Sequence, residues 1–254
     1  MLLLHGMSDS PYSIHTLGLR LHTEGAYVVG LRVPGHGTAP SGLLNVRWQD
    51  MVAAVKLAVQ HLSKQMGEQP IFIVGYSNGG ALALHYALSA IDNPSLPHVK
   101  KLVLISPQIA VTKLAFLAIW QERIGNLLGL EKLRWSSILP EYDPFKYNSF
   151  TINAGNQAYR LTLENRSLLS TLATAEKLDQ LPQILAFQSV LDATVSTPAV
   201  VHELFEKLPS HGHELVLFDI NRVIAVEHLL KSDPKAHIEA ITSDSNKRFI
   251  FSLV

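Results

Sequence analysis

The sequence contains no cysteine, few charged residues and no long hydrophobic run. Without cysteine, the chain cannot form disulfides, use a thiolate nucleophile or bind zinc through sulfur. Charged residues make up 17%, and 21 Lys and Arg balance 21 Asp and Glu, so no basic surface for nucleic acid is expected. No apolar run reaches the roughly 20 residues that span a bilayer, and no secretory signal precedes His5. These absences predict a cytoplasmic protein without stable membrane insertion and without a nucleic-acid partner.

Hydrophobic residues make up 47% of the 254 residues, which excludes a chain that is disordered as a whole. Short apolar runs alternate with stretches of helical periodicity, which predicts a mostly parallel sheet covered by helices on both faces, an α/β fold. The predicted strands are 2–4, 27–33, 71–76, 101–106, 183–190 and 214–218, and the predicted helices are 13–24, 48–66, 81–90 and 199–208.

This alternation of strands and helices breaks between Pro107 and Leu178. The stretch contains many aromatic residues and helical pieces but no clear strand. Its length of about 70 residues exceeds any ordinary connection between two elements. We therefore expect 108–178 to form an inserted cap subdomain, and 1–107 and 179–254 to form the main core.

The segment 75–80, GYSNGG, has the pattern G-x-S-x-G directly after a predicted strand and directly before a predicted helix. A sharp turn in that context lifts the oxygen of Ser77 out at the carboxyl edge of the sheet, where it can act as a nucleophile. The helix N-terminus that follows supplies free N–H groups for a developing oxyanion. The alternative interpretation is that Ser77 only caps the helix.

A second motif, His5-Gly6, ends the first predicted strand. A tight turn there can aim the next backbone N–H at the nucleophile, and acyl transfer needs two such donors. We predict the N–H groups of Met7 and Asn78 as the oxyanion hole, and we predict that His5, Gly6 and Tyr76 contact the substrate. An ordinary turn is the alternative for the His-Gly pair.

Three stretches of the chain resemble the α/β-hydrolase superfamily: LLLHGMSDSPYS, RVPGHGTAPSG and IFIVGYSNGGALALHYA. They are most similar to its carboxylesterase and monoacylglycerol-lipase-like branch, in which an HG turn, a PGHG loop and G-x-S-x-G follow in that order. The strong similarity covers about residues 2–107, and a looser one covers 183–230. The resemblance implies an α/β-hydrolase fold, a Ser–acid–His triad in that chain order and a cap at 108–178.

The resemblance further implies Asp192 and His228 as the partners of Ser77. Asp192 follows the predicted strand 183–190 in a D-x-x-V arrangement similar to that of the family. A carboxylate there would orient the imidazole and stabilise its charged form. An ordinary turn-forming aspartate is the alternative interpretation, and Asp219 is then the fallback acid. His228 follows the last predicted strand, and a structural histidine is its alternative.

The family has two further strands before the one that carries the HG turn, and the sequence has no room for them before Leu2. The segment 27–33 would then lie at a sheet edge, which invites aggregation unless something covers it. A truncated chain, a homo-oligomer that pairs through this edge and a substitute strand are the three explanations. We expect the β-prone segment 247–254 to pair with a sheet edge or with another subunit.

The expected function is that of a serine esterase acting on a small-molecule ester, either with a short to medium acyl chain or a monoacylglycerol. The same triad serves thioesterases, acyltransferases and peptidases. A hydrolase-like protein that binds a ligand without catalysis is the alternative from a different class. No cofactor and no metal are predicted, because the pair His211 and His213 lacks a third ligand nearby and favours a solvated turn.

Overall fold

The computed structural model of the protein describes residues 1–110, 131–190, 192, 196–218 and 247–254. Within these ranges, no helix is long and apolar enough to cross a membrane. The strands are β1 (Leu2–Leu4), β2 (Val29–Leu31), β3 (Phe72–Tyr76), β4 (Lys101–Ile105), β5 (Trp135–Ser137), β6 (Phe150–Thr151), β7 (Gln183–Ser189), β8 (Glu214–Phe218) and β9 (Ile250–Leu253). The α-helices of more than one turn are α1 (His15–Thr23), α2 (Trp48–Met66), α3 (Asn78–Ile91) and α4 (Ile152–Thr174), and a further helical stretch spans 197–207.

Seven strands form one sheet in the order β2-β1-β3-β4-β7-β8-β9. Every neighbouring pair in this sheet is parallel; Val74 of β3, for example, lies opposite Val103 of β4. The predicted parallel sheet is therefore confirmed. Its strand order places 27–33 at one edge, as expected, and β1 inside the sheet.

Both faces of the sheet are covered, as the unbroken apolar sequence of β1 predicts. Leu2 and Leu4 point into the large core cluster that contains the buried faces of α2, α3 and α4. Leu3 points to the opposite face, where it joins Ile14 and partly buried side chains of α1. Successive side chains of a strand alternate between faces, so three consecutive leucines can be buried only between two layers of helices.

Two helices show how local sequence sets their bounds. Helix α2 has the predicted bounds, Trp48–Met66, and ends where Gly67 takes a φ of 59°. Its buried residues recur with helical spacing on one face of the amphipathic sequence. Helix α3 begins at Asn78 instead of the predicted Ala81, because the turn at Ser77 leads directly into the first helical residue.

The segment between β4 and β7 contains two strands, so the expectation that it has none was wrong. β5 and β6 form a small antiparallel pair with an irregular register. Helix α4 follows, and its side chains Ala158, Leu161 and Leu172 belong to the same core cluster as the sheet. Among the described residues, this helix therefore packs as part of the main core. The division into a core and a cap at 108–178 stays a prediction.

The C-terminal segment pairs with the sheet, which confirms one of the two predicted roles for 247–254. β9 runs parallel to β8, with Ser252 opposite Val216. Phe249, just before the strand, is buried and packs its ring against Phe205 at a centroid distance of 5.1 Å. The segment covers the β8 edge, while β2 forms the opposite edge of the sheet. Pairing of β2 with a second copy stays a prediction.

We expect Phe249→Ala to lower the free energy of unfolding by about 3 kcal/mol, because it removes a buried aromatic side chain and leaves a cavity. Ile250→Ala is the matched control, since Ile250 is the next residue in the chain and its side chain is 56% exposed. Urea unfolding monitored by circular dichroism measures both. Equal midpoints for the two variants would contradict the docking of this segment.

His213 is fully buried, which contradicts the prediction of a solvated turn for the pair His211 and His213. Its Nδ1 accepts a hydrogen bond of 3.1 Å from the N–H of Ile184 on β7. Burial, with a smaller contribution from the charge of His211, lowers the pKa of His213 from 6.5 to about 4. The ring is therefore a neutral part of the core. Among the described residues, no group of three His, Asp or Glu side chains could hold a metal ion.

A depressed pKa in the folded state makes stability depend on pH. The unfolded chain binds a proton at His213 near pH 6.5, and the folded chain does so only near pH 4. We therefore expect unfolding to become easier as the pH falls through this window. His213→Asn should flatten that slope, whereas His61→Asn, at an exposed position of α2, should keep it. Urea midpoints between pH 7 and pH 4 measure the difference, and parallel curves for His213→Asn and the parent protein would refute it.

Candidate active site

Ser77 occupies a strained turn between β3 and α3. Its φ of 53° and ψ of −116° lie where residues with a side chain rarely occur. The turn is held by the backbone: the N–H of Ser77 donates to the carbonyl of Ile105 at 2.9 Å, and its carbonyl accepts from the N–H of Gln108 at 3.1 Å. A helix cap would have extended backbone and a capping side chain, but the Ser77 side chain makes no cap hydrogen bond. The structure thus contradicts the alternative in which Ser77 is only a cap.

The glycines around Ser77 let backbone segments approach closely. A Cβ placed on Gly79 would lie 2.6 Å from the carbonyl carbon of Leu4, at the end of β1. A Cβ placed on Gly75 would lie 2.6 Å from the nitrogen of Gly80. Real Cβ atoms do not approach backbone to such distances, so the turn and the end of β1 can touch only through glycine.

The loop after β1 lies against Ser77. A Cβ on Gly6 would be 3.4 Å from the Cβ of Ser77. The N–H of Asp9 donates to the carbonyl of Gly6 at 3.2 Å and closes a turn with Met7 at its centre. The contact joins Gly6 and Ser77. The two predicted oxyanion donors, Met7 and Asn78, are the next residues along the chain. The N–H of Asn78 is also the first of α3, and such N–H groups have no acceptor within their own helix.

His5 holds the loop from inside. It is fully buried; its Nδ1 donates to the carbonyl of Gly6 at 2.8 Å, and its Nε2 accepts from the N–H of Val33 at 3.1 Å. These partners require the neutral ring, and burial lowers the pKa of His5 to about 4. Both ring nitrogens are therefore engaged by the backbone, and the ring links the end of β1 to the loop after β2. The predicted contact of the His5 side chain with the substrate does not fit this fully buried ring.

His36 is a site residue to which the sequence analysis assigned no role. It is buried; its Nε2 lies 2.7 Å from the carbonyl oxygen of Met7 and its Nδ1 lies 2.9 Å from that of Pro34. Its ring meets the His5 ring edge to face at 4.9 Å. The PGHG motif was visible in the sequence, but its contact with Met7 joins residues 29 positions apart and has no local signal.

Tyr147, between β5 and β6, ties the β5–β6 region to the same two loops. Its backbone N–H donates to the carbonyl of Ser8 at 2.7 Å. Its hydroxyl accepts from the N–H of Thr38 at 3.0 Å and donates to the carbonyl of Gly35 at 3.3 Å. The contacts therefore connect the β5–β6 region with the loop that carries Met7.

Tyr76 and Asp9 flank Gly6. The Tyr76 ring would come within 3.3 Å of a Cβ on Gly6, and burial, together with the charge of Asp9, raises its pKa. Asp9 is buried as well, and this burial raises its pKa, while Lys146, whose Nζ lies 4.0 Å away, opposes the shift. Tyr76, which we predict to contact the substrate, thus stays half-buried beside the Ser77 turn.

Asp192 lies just past β7, with its side chain half-buried. Its Oδ2 accepts from Gln188 Nε2 at 3.2 Å, and its N–H donates to the carbonyl of Ser189 at 3.3 Å. β3 and β7 are separated only by β4, and parallel strands end at a common edge, so Ser77 and Asp192 follow strands that end at the same edge. His228 and the fallback acid Asp219 lie outside the described residues.

Comparisons with known proteins reveal one family match and several structural likenesses. The family model described as Hydrolase_4, serine aminopeptidase, S33, matches residues 1–221. A thermostable monoacylglycerol lipase from Bacillus sp. (strain H-257) is 34% identical over 88 residues, which is 34% of this chain and 34% of that protein. The match therefore spans about a third of the length of this curated relative.

Solved structures of similar shape include lipolytic and esterase proteins. A structure from a study of the metagenome-derived lipolytic enzymes LipS and LipT has a TM-score of 0.64 at 17% identity, and covers 95% of this chain and 92% of its own. The monoacylglycerol lipase of Paleococcus ferrophilus has a TM-score of 0.61 at 17% identity, with 96% and 94% covered. A thermostable carboxyl esterase from Bacillus coagulans has a TM-score of 0.60 at 14% identity, with 95% and 88% covered. At these identities, the likeness is one of fold.

We expect Gly79→Ala to abolish the native turn, because the added methyl would collide with the backbone of Leu4. The melting temperature should fall by at least about 5 °C, or the protein should fail to fold. Gly155→Ala is the matched control within α4: its Cβ would meet only Phe150 at 3.6 Å, so it should be neutral or stabilise by about 0.5–1 kcal/mol. Similar melting temperatures for both variants would show that the approach of α3 to β1 is not essential.

Proposed function

The chain belongs to the Hydrolase_4 family (serine aminopeptidase, S33) of the α/β hydrolases, and on that premise we propose that it is a serine hydrolase of carboxylic esters. One observation carries the proposal: Ser77 stands in a strained strand-to-helix turn, its side chain makes no cap hydrogen bond, and Gly6 lies so near that a Cβ placed on it would be 3.4 Å from the Ser77 Cβ. Backbone strain of this kind concentrates at functional sites.

In the proposed reaction, the Ser77 hydroxyl attacks the ester carbonyl and forms an acyl-enzyme, with release of the alcohol. Water then attacks the acyl group and regenerates the hydroxyl. The strained turn supports this role because the Ser77 side chain makes no cap hydrogen bond to the helix.

We assign His228 as the base that takes the proton of Ser77 and returns it to the leaving alcohol. Asp192 orients this imidazole and stabilises its charged form. Two observations support the aspartate: its place after β7, which only β4 separates from the strand β3 that precedes Ser77, and the hydrogen bond from Gln188 to its Oδ2. The chain order of the family resemblance supports the histidine.

The N–H groups of Met7 and Asn78 form the proposed oxyanion hole. Preorganised backbone donors stabilise the charge of a tetrahedral intermediate best when their positions are held before the reaction. His5 and His36 hold the Met7 loop through hydrogen bonds to Gly6 and to the carbonyl of Met7. The helical start at Asn78 holds the second donor.

We propose uncharged esters as substrates, either with short to medium acyl chains or as monoacylglycerols. The partial relative that is a monoacylglycerol lipase supports this class, as does the neutral overall charge of the chain. Gly6 and Tyr76 lie beside the turn and would contact the ester, while 108–178 would form the cap over it. No step of the proposed reaction uses a metal or a cofactor.

Amide hydrolysis is the second candidate, because the matching family model is described as a serine aminopeptidase. The same nucleophile, base and oxyanion donors serve both reactions. A peptidase of this kind would have to recognise the amino group of its substrate. Aminoacyl p-nitroanilides therefore separate the two candidates, since an esterase releases little p-nitroaniline from them.

We expect Ser77→Ala to lower the hydrolysis of p-nitrophenyl butyrate by at least about 10⁴-fold, because the acyl-enzyme cannot form. Ser170→Ala, at an exposed position of α4, is the matched control and should keep full activity. The assay is the release of p-nitrophenol from esters of two to twelve carbons, which also defines the acyl-chain preference. A fluorophosphonate should label the parent protein and the control but not Ser77→Ala.

Hydrolysis that survives Ser77→Ala would refute the serine mechanism. A folded parent protein that hydrolyses neither esters nor anilides, and is not labelled, would instead identify a ligand-binding protein with a hydrolase fold.

A further inference from the structure

Gln188 is a polar residue in an otherwise apolar stretch of β7. The strand reads QILAFQS, and its buried positions alternate with half-buried ones. Gln188 takes one of the buried positions and is only 1% exposed. Its neighbours on the same face of the strand are Ile184 and Ala186. An apolar side chain would fill this position at lower free energy unless the amide has a task.

The amide nitrogen of Gln188 contacts three oxygens. Its Nε2 lies 3.2 Å from Asp192 Oδ2, 3.3 Å from the carbonyl oxygen of Ser189 and 3.3 Å from Thr197 Oγ1. The Thr197 hydroxyl gives its own proton to the Ser189 carbonyl, at 2.8 Å, so it acts as an acceptor toward Gln188. All three partners are acceptors. The reversed amide would place Oε1 against three oxygens, so the partners determine the orientation of the amide.

The amide oxygen shows that this arrangement does not serve stability alone. Gln188 Oε1 is buried and accepts no hydrogen bond from any residue that the structure describes. An unpaired buried oxygen destabilises the fold. The strand therefore keeps one unfavourable group in order to present the Nε2 donor at the loop that carries Asp192.

The same contacts bracket the Asp192 loop. Gln188 bonds to Ser189 before the loop and to Thr197 after it, and Thr197 is joined to Ser189 directly. Asp192 itself bonds back to the carbonyl of Ser189 through its N–H. One buried amide, that of Gln188, therefore bonds to both ends of the loop and to the carboxylate within it.

We propose that Gln188 is a positioning residue for the catalytic acid. By holding Oδ2, its amide sets the rotation of the Asp192 carboxylate, so that the triad histidine meets a carboxylate of fixed orientation. In this role Gln188 acts on the reaction through Asp192. This inference rests on the proposed function, because it assigns to Asp192 the role of orienting the base.

The test is a double-mutant cycle on the hydrolysis of p-nitrophenyl butyrate. Gln188→Leu removes the donor with little change of volume, and we expect kcat to fall about 10- to 100-fold, as for loss of a hydrogen bond to a charged group. KM should change less than about threefold, because the substrate does not contact this residue. Asp192→Ala should lower kcat more, and adding Gln188→Leu to it should cause no further loss.

Gln157→Leu is the matched control. Gln157 is a buried glutamine of α4 whose Oε1 accepts from the N–H of Trp48 at 3.0 Å and whose Nε2 donates to Asn153 at 2.9 Å. Its loss should lower the urea midpoint without changing kcat by more than about twofold, and its effect should be the same with and without Asp192→Ala. This comparison separates a lost buried hydrogen bond from lost positioning of Asp192.

Gln188→Glu gives a second readout if the leucine variant fails to fold. A neutral glutamic acid of the same shape can donate to Asp192, whereas its ionised form repels that carboxylate. We expect the pH profile of kcat to gain a falling alkaline limb that the parent protein lacks. A profile identical to that of the parent protein would overturn the proposal.

The outcomes separate failure of this inference from failure of the proposed function. Full activity of Gln188→Leu with impaired Asp192→Ala would overturn only the role of Gln188. A further loss on adding Gln188→Leu to Asp192→Ala would also overturn it, because the residue would then act independently of the acid. Full activity of both Ser77→Ala and Asp192→Ala would instead overturn the proposed serine mechanism.

Discussion

The close packing of the start of α3 against the end of β1 is the constraint on which the site depends. Gly79 approaches the carbonyl group of Leu4 so closely that no side chain fits between them. This approach holds the turn at Ser77 in its strained conformation and brings Gly6 against the same residue. A separation larger by one methyl group would move Asn78, which begins α3, away from the Met7 loop.

Polar side chains then hold the loops that follow the strands of the sheet. His5 and His36 fasten the Met7 loop to the loop after β2, and Tyr147 fastens the β5–β6 region to both. Gln188 performs the corresponding task for the Asp192 loop at the end of β7. His5, His36 and Gln188 make these bonds in a buried setting, where a hydrogen bond is electrostatically stronger than in water.

Sequence reasoning succeeded where one local pattern decides the structure. The apolar runs predicted the parallel strands, the spacing of apolar residues predicted α2 with its observed bounds, and G-x-S-x-G predicted the turn at Ser77. It failed for β5 and β6, because strands of two or three residues carry too few positions to show alternation. It also failed for His213, because nothing in the polar sequence around this histidine indicates that its ring accepts a hydrogen bond from the N–H of Ile184.

The sequence by itself determined the types of the main elements, the turn that carries Ser77 and the family to which the chain belongs, because each rests on residues close together in the chain. Only the tertiary structure decided that His36 holds Met7, that Tyr147 joins two loops and that Gln188 holds Asp192. The physical reason is that a hydrogen bond requires two atoms within about 3 Å. Chain segments far apart in sequence, or side chains on a strand and in the loop beyond it, reach that distance only after the sheet and helices have packed.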